Sequence, residues 1–257
     1  MVPRSLAIGA WPLRAAEELR SALIYRALAR ASRIALPAFA DRFDGVAREE
    51  VGHARLCATI GEELGAAPPR YDAAPVRARL APLGDPRERT IALVTAEVAI
   101  GETISMTMFR ESRRAATGLR ARAAFASIVA DESRHHQLGW DALEALGASE
   151  LVAREASRAF AASEQQIARP ALELLERGEP FDPAWCEHGV IEPQRRVEAF
   201  YAAVEQLVIP RLERLGVDGK RAWAERYCKM TGAQVETPAP TIVRPGAGVV
   251  LVIMPLV

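Results

Sequence analysis

The chain has 257 residues, half of them hydrophobic but only 6% aromatic, with 33 basic side chains against 33 acidic. A chain of this length can bury a sizeable core, and the scarcity of aromatics favours packed helices over sheets. The cancelled charge excludes any global attraction for nucleic acid or an anionic membrane, so neither partner is expected.

The opening residues, MVPRSLAIGAWPLR, hold too short an apolar run for a secretory signal, and the pattern shows no 18-residue apolar span. Cys57, Cys186 and Cys228 are far apart and odd in number, which fits a reducing compartment better than a disulfide framework. A soluble cytoplasmic protein is expected.

In chain order, a first helix is predicted from about Pro12 to Arg33, with Ala15, Leu19, Ala22, Leu23 and Leu28 along one side. A second starts near Pro37, a residue suited to a first helical turn, and runs to Glu63. Residues 65–86 contain five prolines and read as a long connection. Asp85-Pro86-Arg87-Glu88 is a helix start, with Asp as N-cap, and the third helix continues to about Ala116. Thr117-Gly118 turns the chain into a fourth helix that ends at Leu146, before Gly147. Further helices are predicted at 149–177, 193–215 and 218–228, with kinks at Pro170 and Pro210.

Short connections make helices one and two, and three and four, antiparallel pairs. A helix of 26 residues is ~39 Å long at 1.5 Å per residue. Returning along that length takes at least a dozen extended residues at ~3.3 Å each. The 22-residue link between the pairs is therefore explained by one long crossover, the ferritin-like arrangement of a four-helix bundle. The predicted organisation is an all-α fold: a bundle over 1–147, additional helices over 148–230 packed on it, and a linker with an apolar tail over 231–257.

Two of the four histidines follow a glutamate at helical spacing: Glu50 and His53 in AREEVGHARLC, and Glu132 and His135 in VADESRHHQLG. Positions i and i+3 share a helix face, so each pair can address one ion. A di-metal bundle also requires one carboxylate from each remaining helix. On the third helix, Glu102 lies level with Glu132 when both are counted from the 117–118 turn. Glu97 is six residues out of level with Glu132, roughly 9 Å at a regular helical rise, and is left as an outer group. On the first helix Glu18 shares the stripe of Ala15, Leu19, Ala22 and Tyr25, whereas Glu17 faces the side of Arg20 and Ser21. The halves repeat: 84 residues separate Glu18 from Glu102, and 82 separate Glu50 from Glu132 and His53 from His135. The alternative is a solvated helix face decorated with Glu and His. His136, about 100° round the helix from His135, and His188, in a WCEHG loop with no partner pair, are read as structural.

These motifs resemble the ferritin-like di-iron carboxylate superfamily over residues 12–146. Glu18-x6-Tyr25 is similar to the first-helix motif of rubrerythrins and bacterioferritins, and Asp131-Glu132-Ser133-Arg134-His135 to the DExRH motif of di-iron oxygenases. The resemblance implies that Glu50 and Glu132 bridge two irons, that Glu18 and Glu102 bind one each, and that His53 and His135 complete the sites. It implies that Asp131 holds His53 and Glu49 holds His135. Tyr25 and Glu97 are taken as the candidate catalytic groups. No rubredoxin-type cysteine pair is present, and Phe109 stands where a second tyrosine would be.

Four carboxylates and two imidazoles suit two iron ions, with manganese or a mixed pair as alternatives. The expected chemistry is activation of oxygen or peroxide, in an oxidase or oxygenase acting on a small organic molecule. The alternatives are a ferroxidase or peroxide-consuming iron-handling protein, and a non-catalytic helical scaffold. The residues beyond the bundle favour the first, because additional helices can cap the bundle end and build a substrate pocket, with Trp11, Met106, Met108 and Trp140 as candidate lining. The tail VVLVIMPLV is too short to span a bilayer. It reads as a segment folded onto its own domain or a homo-oligomeric neighbour, or as a docking peptide for a protein partner.

Overall fold

A computed structural model describes residues 5–68 and 71–227. The predicted linker and tail, and Cys228, lie outside them. The protein is 83% helical, with no strand among the described residues.

Helix α1 spans Ser5–Ala35 and α2 spans Pro37–Glu63, the bounds that the pattern predicts for the second helix. The first helix begins well before its predicted start, and Pro12 lies inside it. A proline removes one backbone hydrogen bond, and here its ring packs toward Gly61 of α2, where an added Cβ would sit 3.3 Å from the Pro12 Cδ. The crossover contains a short helix, α3 (Ala74–Leu80), which the five prolines did not suggest. Helix α4 runs Pro86–Ala115. The Asp85 side chain accepts from the Glu88 backbone N–H at 2.8 Å, so the start signal acts as an N-cap. Helix α5 (Leu119–Leu146) follows the Thr117-Gly118 turn.

Helix α4 corrects one sequence expectation. Part of it is apolar and long enough to cross a membrane by composition, so an 18-residue apolar window does exist. Most of that window, 72%, is buried inside the fold, which makes α4 the central core helix. The middle of α4, Val94–Gly101, is π-helical, with the Glu102 N–H bonded to the Glu97 carbonyl. On the facing helix Gly139 permits close approach: a Cβ there would lie 2.6 Å from the carbonyl carbon of Val98.

Beyond Leu146, helix α6 (150–176) packs on the π-helical part of α4, and α7 (193–214) on its C-terminal half. Helix α8, Gly219–Ala224, packs on α6. These helices therefore lie along α4 and do not cap one bundle end. Continuous apolar packing joins Tyr25, Phe43 and Ile104 to Phe160, Phe200 and Leu212. The predicted kinks take a specific form. Pro170 follows a π turn at Glu164–Ala168, and Pro210 follows another at Val204–Val208. A proline ring collides with the carbonyl four residues back in a regular helix, and widening the preceding turn moves that carbonyl aside.

Candidate metal centre

Helices α1, α2, α4 and α5 each deliver acidic or imidazole groups to one depth of the bundle. Glu18, Glu50, His53, Glu102, Glu132 and His135 are all buried, and Glu50, Glu132 and His135 are each only 1% exposed. Burying so many ionisable groups requires compensation. Ligand atoms of Glu18, Glu50, His53 and Glu132 all lie within 4.8 Å of one another. His53 Nδ1 is 3.4 Å from Glu50, 3.5 Å from Glu132 and 3.7 Å from Glu18. His135 Nδ1 is 3.0 Å from Glu50 and 3.6 Å from Glu132. Each of Glu50 and Glu132 thus touches both histidines. Glu102 meets Glu132 across the centre and accepts a hydrogen bond from the Tyr25 hydroxyl at 3.0 Å.

The fit to metal is testable from this geometry. Both oxygens of Glu50, Oε2 of Glu132 and the Nδ1 atoms of His53 and His135 are buried without a hydrogen-bond partner. Orphaned buried polar atoms are rare. Here they crowd together yet are not aligned on one another, as donors around a shared cation are. Carboxylate oxygens with imidazole nitrogens form a hard set suited to iron or manganese. The residues fit a metal.

The outer ring nitrogens are held from the surface side. His53 Nε2 lies 3.1 Å from Asp131 Oδ2, and His135 Nε2 lies 2.7 Å from Glu49 Oε2. Donation from each Nε2–H leaves the inward Nδ1 lone pair free for a ligand role. Arg134 reaches both acids, Asp131 at 2.7 Å and Glu49 at 3.4 Å, and so ties the two outer pairs together.

Without metal, protons occupy the positive side of this charge balance. Burial opposes a charged His53, but the Glu18 and Glu50 carboxylates outweigh it and raise its pKa to about 11. His135, beside Glu132 and Glu50, is raised to about 12 by the same contest. Burial alone would raise Glu50, yet the imidazoles of His135 and His53 bring it down to about 2. Glu18 and Glu102 go the other way. Burial, reinforced by the charges of Glu50 and Glu132, lifts both well above the usual carboxylate range. The Tyr25 hydroxyl is raised too, first by burial and then by Glu102.

The remaining candidates are placed differently. Glu17 is exposed. Glu97 binds Arg20 at 2.9 Å and does not join the ligand cluster. A regular helical rise puts Glu97 far out of register, but the π turn spends more residues per turn and brings it to the wall of the same cleft as Glu102. His136 and His188 are outside the cluster. Of the four suggested pocket residues only Met108 lines that cleft. Trp11 stacks on Phe125 at 5.3 Å, Trp140 Nε1 donates to Thr103 Oγ1 at 2.9 Å, and Met106 is buried core.

The cleft itself was not legible in the sequence. It has a volume of about 370 Å³ and is lined from α1, α4 and α5, with Glu18, Tyr25, Glu102 and Glu132 among the lining residues. Helix α6 supplies Gln166 and Ile167 to its walls, helix α7 supplies Arg196, and the segment just before α7 supplies Ile191. No periodicity pairs these residues with α1, because only the packing of α6 and α7 along α4 brings them there.

A family model described as Rubrerythrin matches residues 15–146. Neither the curated proteins nor the solved structures contain a match to this chain.

Proposed function

The chain belongs to the rubrerythrin family, within the ferritin-like di-iron carboxylate superfamily, and from that premise we propose that it is a di-iron oxidase or oxygenase acting on a small organic molecule. In this reading Glu18 and His53 would hold one iron and Glu102 and His135 the other, with Glu50 and Glu132, which each touch both histidines, shared between the two sites. Asp131 and Glu49 orient the two imidazoles. When bound, the pair of redox-active ions supplies two electrons to oxygen or peroxide. The Tyr25 hydroxyl holds Glu102 in place from the cleft side, and the Arg20–Glu97 pair fixes a second carboxylate in the cleft wall.

The observation that carries the organic-substrate reading is the cleft. It falls within the size range of small-molecule sites, it reaches three of the proposed ligands, and part of its wall comes from helices outside the matched region. Iron oxidation alone needs no such cavity. The test is metal analysis of aerobically purified protein together with Fe(II) oxidation. Two irons per chain, with no mineral core at high iron loading, is the expected result. Accumulation of a mineral core would favour iron handling instead, and absence of iron would favour a scaffold.

A further inference from the structure

Two guanidiniums in the cleft have no acid of their own. Arg14, on α1, lies over the rings of Trp11 and Phe125, 4.8 and 4.9 Å from their centroids. Its terminal nitrogens reach only the backbone carbonyls of His188 and Gly189, each at 3.4 Å. Arg196, on α7, donates Nε to the Ile167 carbonyl at 3.1 Å. Among the described residues neither has a carboxylate at ion-pair distance, whereas Arg20 pairs with Glu97, and Arg195 with Glu111. Burial lowers the pKa of both; at Arg14 the nearby Cys57 and Glu18 raise it while the charge of Arg196 lowers it. Two like charges therefore share one partly buried space.

Each guanidinium carries five donors in a planar fork. Three bonds to carbonyls leave most of those donors unused. Setting aside Glu18, Glu102 and Glu132 at the metal end, the cleft lining holds Arg14, Arg20 and Arg196 against Glu17 and Glu97. The excess is one positive charge, which matches a monoanion. The uncharged lining includes Ile24, Met108, Phe109 and Ile191.

We propose that the cleft binds a small carboxylic acid with an apolar body, its carboxylate on Arg14 and Arg196 and its body against Met108, Phe109 and Ile191. Planar, bidentate recognition of carboxylate is what paired guanidiniums do well. The proposal rests on the di-iron oxidase reading and names the substrate class for it.

The test uses the iron-loaded full chain and two matched probe pairs, benzoate with benzamide and octanoate with octanamide, with affinity read by calorimetry. At least one acid should bind about tenfold or more tightly than its amide, the scale of a charge-assisted pair of hydrogen bonds. Arg196→Gln should remove that preference, and Arg196→Lys should keep part of it. Arg14→Gln should act likewise, and Arg196→Gln carries the test if loss of the Trp11 and Phe125 stacking unfolds the Arg14 variant. Equal binding of acids and amides overturns the proposal. So does acid binding that ignores Arg196→Gln, which would place the carboxylate on the metals, or displacement of the acid by inorganic phosphate at equal concentration. Iron content is measured on the same samples. Discrimination without bound iron would sink the di-iron reading and support this one, and two irons without discrimination would do the reverse.

Discussion

Replacing Glu50 and Glu102 by glutamine should move the stability of the metal-free protein in opposite directions, although both variants should lose iron. Glutamine keeps the side-chain shape, so the comparison isolates charge. Glu50 is 1% exposed and sits between two imidazoles that bring its pKa from 4.5 to about 2. At about 1.4 kcal/mol per pKa unit, that depression corresponds to roughly 3 kcal/mol. A depressed carboxylate contributes its stability above its unfolded pKa and loses it as pH falls through the folded one. Glu50→Gln should therefore destabilise the metal-free protein by up to roughly 3 kcal/mol at pH 7, on the order of 10 °C in Tm for a chain of this size, and the deficit should shrink between about pH 4.5 and 2. Glu102 is the opposite case: burial and the charges of Glu132 and Glu50 raise it, so ionising it works against folding. Glu102→Gln should leave the metal-free protein as stable or more so at neutral pH. Urea titrations of both variants in chelator, at pH 7 and pH 4, read the difference. If metal-free Glu50→Gln matches the parent, the crowded carboxylates simply repel one another and the opposed-charge account of the centre is wrong.

Glu49→Gln and Asp131→Asn each remove the acceptor behind a histidine and should weaken iron binding about 10- to 100-fold while the fold persists; unchanged affinity in competition with a chelator would show that the outer acids do not orient the rings. Metal uptake should release protons, since His53 and His135 are raised to about 11 and about 12 in the metal-free fold and a ligand nitrogen must be deprotonated. Iron affinity should accordingly rise with pH, and an indicator dye in weak buffer detects the protons; uptake without release contradicts the charge balance. Glu102→Ala should lose iron as Glu50→Gln does, whereas Glu97→Ala should retain it, and metal analysis showing the reverse would assign Glu97 as the ligand. Gly139→Ala should destabilise by about 1–3 kcal/mol through overpacking, because its new methyl would strike the Val98 backbone; a thermal melt at the parent Tm would mean that α4 and α5 are further apart.

Local patterns carried the four long helices of the bundle, their pairing and the side chains that meet inside it, though neither the early start of α1 nor the crossover helix α3. Helical periodicity is local, so Glu50 with His53 and Glu132 with His135 share a face wherever their helices go, and the cap at Asp85 and the stop at Gly147 need no distant partner. Register counted from a tight turn also carries over, which is why Glu102 could be matched with Glu132 through the regular helix 102–115. Tertiary structure decided what regular counting cannot reach. The π turn at Val94–Gly101 brings Glu97 to the cleft wall beside Arg20, and a widened turn leaves no trace in periodicity. Where α6 and α7 lie was open too, since their apolar faces would cover a bundle end as readily as a bundle side. Packing them along α4 places Arg196 in the same cleft as Arg14, 182 residues earlier in the chain. The metal centre is legible because its ligands repeat at helical spacing, and the cleft is not, because it exists only between elements that touch through their surfaces.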